Sequence, residues 1–227
     1  MKQLADDLYV LDGFPPYAIN VYLVGDVLVD AATRRAGKRI LRQLRGRNVN
    51  THAVTHAHPD HQGASHEVCE ALDIPLWCGE RDADAIEDGR IGERQPQHPI
   101  NSLFDRMWTG PPHPVAQRLR EGDMVGGFKV LDTPGHSAGH ISLWRESDGA
   151  LICGDVFTNI DQLTGIPGLH EPKSFFSPDP LATANRCDSS PPWNRSSCAS
   201  ATAGRCGIQP SSGRSPTACR GSRAWHP

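Results

Sequence analysis

The chain has 227 residues, a formal net charge of −3 and a sequence pI near 6.4, which fits one α/β domain or one domain plus a tail. That balance excludes the basic surface a nucleic-acid partner would require, and no apolar run reaches the length of a bilayer span. The first seven residues lack the apolar centre of a signal peptide, so a cytoplasmic protein with no membrane partner is expected.

In chain order, strand patterns fall at residues 8–11, 18–24, 27–30, 51–55, 75–78, 128–132, 140–145 and 150–153. Helical spacing appears over 35–45, with Ile40, Leu41 and Leu44 on one face, and over 61–72. A third helix is expected over 80–88, closed by Gly89. Residues 90–114 are rich in Pro and Gly and read as a loop or insertion over a site. The seven cysteines are odd in number and irregular in spacing. Cys69, Cys78 and Cys153 therefore read as small buried hydrophobes.

The densest chemistry is Thr55-His56-Ala57-His58-Pro59-Asp60-His61, directly after a strand. Neutral imidazole nitrogen and carboxylate oxygen are the ligand types of open catalytic zinc sites. In an extended segment His56 and His58 share a face and can grip one metal, while Asp60 and His61, where the chain turns, can reach a second. Further on, Thr133-Pro134-Gly135-His136 places His136 in a tight turn at a strand end, as a third ligand beside His56 and His58. His140 opens the next strand and reads as a structural histidine that orients the turn. Gly154-Asp155 ends another apolar strand, where a carboxylate can bridge two metals.

Together, His56-x-His58-x-Asp60-His61, the Thr-Pro-Gly-His136 turn and Asp155 resemble the metallo-β-lactamase superfamily, and within it the glyoxalase II-like hydrolases. The resemblance covers roughly residues 4–179 and extends to Asn20–Val24 and Leu28-Val29-Asp30, where Asp30 resembles the family's structural aspartate under the metal loop. It implies an α/β fold, an αββα sandwich with its active site along one edge. It also implies one metal on His56, His58 and His136, a second on Asp60, His61 and a late histidine, and Asp155 between them. The implied cofactor is zinc, two ions per intact site, with iron or manganese as alternatives. The implied reaction is hydrolysis of a small thioester or ester by a metal-bound hydroxide, with Asp60 in the catalytic set. Lactonase activity and a mononuclear-iron persulfide dioxygenase using His56, His136 and Asp155 are the neighbouring chemistries. Pro111–Pro114 and Phe175–Phe176 are candidates for the pocket lining.

The sequence departs from this pattern near residue 184. Residues 184–227 contain no Leu or Val, one acidic residue, Asp188, and four of the seven cysteines. Such a segment cannot bury enough apolar area to offset its ordering entropy, so the expected organisation is a hydrolase domain at 1–183 and a disordered tail at 184–227. The late histidine is missing: His170 comes too early and His226 has no strand before it. Read one base out of frame, the codons of residues 198–205 permit Cys-Phe-Gly-His-Gly-Gly-Pro, which would supply that histidine. The tail thus reads as a frameshift product. As written, the chain is expected either to bind its second metal weakly or to be an inactive remnant.

Overall fold

Short runs of Val, Leu and Tyr alternate between two buried faces and build the first sheet. The computed structural model describes residues 1–179 and 182, apart from 15, 17 and 163. Strands β1 (Lys2–Ala5), β2 (Leu8–Val10), β3 (Tyr22–Val24) and β4 (Val27–Val29) form an antiparallel meander. Helix α1 (Gly37–Gln43) then crosses to β5 (Thr51–Val54), which pairs parallel to β4. Helices α2 (Pro59–Gln62) and α3 (Ser65–Leu72) cross to β6 (Leu76–Gly79), and α4 (Ala83–Asp88) and α5 (Pro99–Trp108) cross to β7 (Val115–Leu119), both parallel. The second sheet is antiparallel, in the order β11 (Ala150–Ile152), β10 (Ile141–Arg145), β9 (Phe128–Asp132), β8 (Met124–Val125). A separate hairpin follows, β12 (Thr158–Ile160) with β13 (Pro167–His170).

The period of two sorts side chains into layers. Tyr22, Val24, Val27, Val29 and Ala53 turn inward and meet Phe128, Val130, Ile141, Leu143 and Ile152 of the second sheet in one core. Leu23 and Leu28 turn outward against Ile40 and Leu44 of α1 and Val68 of α3. Val54, Leu76 and Cys78 continue that outer layer against Ala83 and Ile86 of α4. Phe128 is fully buried between the sheets, so its truncation to alanine should cost about 3–5 kcal/mol. On the far face of the second sheet, Leu131, Trp144 and Leu151 pack with Val156 and Phe157, and no α-helix of the described residues contributes there.

Most expected elements appear, usually trimmed by a residue or two. Strands β1, β7 and β8 have no counterpart among the expected ones, and other findings differ too. The helix expected over 61–72 is two helices, because residues 63 and 64 break it between α2 and α3. Residues 90–114 contain α5, whose Ile100, Leu103, Phe104, Met107 and Trp108 hold helical spacing that the flanking prolines and glycines obscured. Its start is set by Pro99 and by the His98 side chain, whose Nδ1 accepts the Ile100 N–H at 3.3 Å. The hairpin β12–β13 is not among the expected strands, since β12 is only three residues long and β13 opens on Pro167 and Gly168, which disfavour strands. Cys69, Cys78 and Cys153 are free and buried, and burial pushes the Cys69 thiol up to about 12. The tail, its frame and His226 lie outside the described residues.

Candidate metal centre

Three strand ends and one turn converge at the edge where the sheets meet. The chain leaves β5 into Thr55 and His56, and α2 begins after His58, with Pro59 at its first position. The turn between β9 and β10 carries His136, and the segment after β11 carries Asp155. His56, His58 and His136 are buried and offer nitrogens that lie within 4.8 Å of one another. His56, His61 and Asp155 form a second such group. Asp60 stands beside both, its Oδ2 4.0 Å from His61 Nε2, and belongs to neither three-residue group.

The protein fixes these rings from behind. Asp30 is buried at the end of β4 with φ of +61°, and its carboxylate accepts the Thr55 N–H at 2.8 Å, the Thr55 hydroxyl at 3.0 Å and His61 Nδ1–H at 2.9 Å. With its proton directed at Asp30, the Thr55 oxygen accepts from His56 Nδ1 at 3.0 Å, which leaves His56 Nε2 as a lone pair. His136 Nδ1 meets Ser177 Oγ at 2.8 Å. Nε2 of His56 and Nε2 of His136 are buried and have no hydrogen-bond partner among the described residues. Two orphaned imidazole nitrogens facing one space are what a divalent cation satisfies, so the residues fit a metal.

The electrostatics agree. Burial, reinforced by neighbouring imidazoles, holds His56 and His58 well below the usual histidine range, in the neutral form that ligates metals. Burial alone would also lower His61, but Asp155 and Asp30 outweigh it and raise its pKa. Burial alone would raise Asp155, but His61 and His136 hold it well below the carboxylate range. Asp155 Oδ1 is 3.3 Å from His61 Nε2 and Oδ2 is 3.4 Å from His136 Nε2, so one carboxylate faces both groups. Burial lifts Asp60, and the Asp155 charge adds to that.

His140 stands beside the ligand set, its ring centroid 4.8 Å from that of His56, and belongs to neither three-residue group. Its Nε2 accepts the Asp155 backbone N–H at 3.0 Å, and its Nδ1–H donates to Thr133 Oγ1 at 2.8 Å. It thereby holds the turn that aims Asp155. Gly154 is required there: its φ is +53°, and a Cβ would fall 2.5 Å from His140 Nε2. His170 sits in β13 and joins none of the candidate groups.

A residue the sequence did not single out ties the centre together. Asp82, buried just after β6, accepts the Ala57 N–H at 2.8 Å, the Ser137 hydroxyl at 2.6 Å and the Gly139 N–H at 2.7 Å. Ala57 lies between His56 and His58, and Ser137 follows His136. The only signal in the sequence was an acid shortly after a strand end, which is common.

Beside the centre is a cavity of about 460 Å³ lined by His58, Asp60, His61, His136 and Asp155. Phe104 and Trp108 of α5, with Ile160 and Phe176, supply apolar wall. Asn101 adds a polar point: its amide donates to Pro96 O at 2.9 Å and Phe175 O at 2.8 Å, leaving a buried Oδ1 with no partner among the described residues. Of the residues expected to line the pocket, Phe176 does so. Phe175 instead stacks on His98, and residues 111–114 lie outside the lining, Pro112 against Gly89 and His113 against α4.

The family model described as metallo-beta-lactamase superfamily matches residues 14–192. An uncharacterised protein of Bacillus subtilis (strain 168), YobT, is 30% identical over 159 residues, covering 66% of this chain and 67% of that protein. A hydroxyacylglutathione hydrolase of Bdellovibrio bacteriovorus is 28% identical over 144 residues, covering 57% of this chain and 47% of the relative. Among solved structures, BJP-1, a subclass B3 metallo-beta-lactamase of Bradyrhizobium japonicum, superposes with a TM-score of 0.52 at 25% identity, covering 73% of this chain and 66% of that one. The matched region spans about two thirds of the first relative's length and about half of the hydrolase's. With the fold, the histidine-rich strand ends and a family match over most of its length, the chain belongs to the metallo-β-lactamase superfamily, with glyoxalase II-like relatives within it.

Proposed function

We propose that the chain is a metal-dependent hydrolase of a small thioester or ester, of glyoxalase II type, with zinc as its metal and two ions in an intact site. The observation that carries this reading is Asp155 facing both histidine groups, at 3.3 Å and 3.4 Å, in the wall of a cavity sized for a small molecule. Bound there, a divalent ion supplies Lewis acidity toward an acyl carbonyl and lowers the pKa of a water from about 15.7 to about 7. His56, His58 and His136 would hold one ion; His61 and Asp155, with Asp60 beside them, would hold the other.

The remaining work falls to this chain's own groups. The apolar wall of Phe104, Trp108 and Phe176 excludes water around the acyl group. Attack of water on the carbonyl forms a C–O bond and breaks the C–S or C–O bond, and the departing thiolate or alkoxide takes a proton. Asp60, in the cavity wall beside His61, is placed within reach of that proton. The hydroxyacylglutathione hydrolases among the relatives support a thioester substrate. No helix of the described residues is long and apolar enough to cross a membrane, which accords with a cytoplasmic site of action.

The test is turnover of a hydroxyacyl-glutathione thioester by the zinc-loaded chain, beside simple esters and lactones, with metal content measured on the same sample. Thioester cleavage that disappears in H136A supports the reading. Lactone cleavage alone would move the substrate class. A single iron with persulfide oxidation would replace the reaction and assign His56, His136 and Asp155 to that iron. A chain inactive as written, but active when residues 184 onward are expressed in the alternative frame, would identify the written tail as a frameshift product. Inactivity in both frames would overturn the hydrolase reading.

A further inference from the structure

We propose that His66, Glu70 and His113 form a separate zinc-type metal site that clips helix α3 to the loop entering β7. None of the three belongs to the strand-end groups or lines the cavity. His66 and Glu70 are four residues apart on α3, so both side chains rise from one face of the helix. His113 comes to them from the segment between α5 and β7. Its ring nitrogen Nδ1 lies 3.2 Å from His66 Nδ1 and 4.0 Å from Glu70 Oε1.

The distances suit a metal as well as a hydrogen bond, and the third group is what favours the metal. In a tetrahedral zinc site with bonds of about 2.0–2.1 Å, neighbouring nitrogens stand about 3.3 Å apart. The observed 3.2 Å separation of the two Nδ1 atoms is that edge. A shared proton between two imidazoles would explain the pair but leaves Glu70 with no part. Glu70 is largely exposed and needs only a side-chain rotation to close its 4.0 Å gap. Two imidazoles and one carboxylate are a donor set for zinc, cobalt(II) or iron(II), with water completing the shell.

His113 is also preorganised. Pro112 and Pro114 flank it, which narrows its backbone, and its N–H donates to Ile86 O at 3.3 Å. Its ring is mostly buried while Glu70 remains open to solvent, so an ion has an entry path and its ligands lose little entropy on closing. The proposal stands independently of the reaction assigned to the strand-end centre.

Full-length, tag-free chain equilibrated against a ladder of buffered free zinc tests this. The wild-type chain should take up one more equivalent than H113A, with hydrolysis at saturating zinc unchanged between them. Glu70→Gln should move the extra equivalent to higher free zinc by at least the roughly tenfold that losing even an outer partner costs. Identical uptake curves for wild type, H113A and E70Q would overturn the proposal. Where H113A proves unstable, the histidine ring resonances of the wild-type chain decide. Zinc added beyond saturation of the strand-end centre should shift both His66 and His113, and unmoved rings would reject the site.

Discussion

The carboxylate of Asp82 accepts the backbone N–H of Ala57 at 2.8 Å, and so grips the residue between His56 and His58 from a different strand end. The same carboxylate holds Ser137 and Gly139, which follow His136 in its turn. The spacing of His56, His58 and His136 is therefore set by one buried side chain that touches none of their rings.

Asp82→Ala strands two backbone donors and one hydroxyl. Each buried donor left unpaired costs about 1–3 kcal/mol, so the variant should lose several kcal/mol of stability. Its zinc affinity should fall by roughly 10–100-fold, as for other residues that orient ligands. Asp82→Asn keeps the shape but puts an amide NH2 in place of one oxygen; with its oxygen at the Oδ2 position it should keep the Ala57 and Ser137 contacts and lose the one to Gly139. Chelator competition and thermal melts on both variants check this.

Asp30→Asn should affect one half of the centre more than the other. Asp30 orients His61 through Nδ1 at 2.9 Å and reaches His56 only through Thr55. The expected result is weakened binding of the ion on the His61 side, again by roughly 10–100-fold, with the His56–His58–His136 ion retained. Metal per chain at limiting zinc distinguishes this from uniform loss, which would contradict it.

Removing metal should destabilise the fold. An ion that binds only the native chain, at a hundred times its dissociation constant, adds about 2.7 kcal/mol. Chelation should therefore lower the melting temperature of the wild type by more than that of H136A, which lacks one ligand of the His56–His58–His136 group. Equal shifts in the two proteins would mean that the stabilising ion sits elsewhere.

A pH effect arises outside the centre, in the metal-free protein. His52 is fully buried on β5; its Nδ1–H donates to Leu28 O at 3.1 Å, and its Nε2 accepts from Ser65 Oγ at 2.8 Å. Burial pushes its pKa down to about 4 from an ordinary 6.5. The unfolded chain then binds the extra proton first, so this contribution is fully present above pH 6.5 and is lost as pH falls through about 4. Over that window it amounts to about 3 kcal/mol. Denaturant titrations at several pH values should show this slope in wild type and a flatter one in His52→Gln.

Much of the fold was legible because β4, β5 and β10 are short runs buried on both faces and β9 sets Phe128, Val130 and Leu131 against an exposed Lys129. Helix α5 was not, since prolines and glycines crowd residues 90–114 and masked five apolar residues at helical spacing. In the site, His58, Asp60, His61, His136 and Asp155 of the cavity wall lie in two compact motifs and one strand end, each spanning only a few positions of the chain. Asp82, Ser177 and Asn101 reach the site from distant segments, and nothing in their own neighbourhoods signals it. Contacts made only by tertiary folding leave no local pattern to read.

The cavity has two origins. Its floor comes from the ends of core strands, where any shift would disturb the packed sheets. Its outer wall comes largely from α5 and the hairpin β12–β13. Helix α5 is held at its far end where Gly110 presses on Gly63, leaving no room for a side chain, since a Cβ there would fall 1.9 Å from the Gly63 carbonyl oxygen. That hinge point lets a descendant of this chain exchange the span between residues 95 and 108 for another sequence and still dock it on α2. Substrate preference can then drift through replacement of a cassette while the metal chemistry beneath is inherited unchanged.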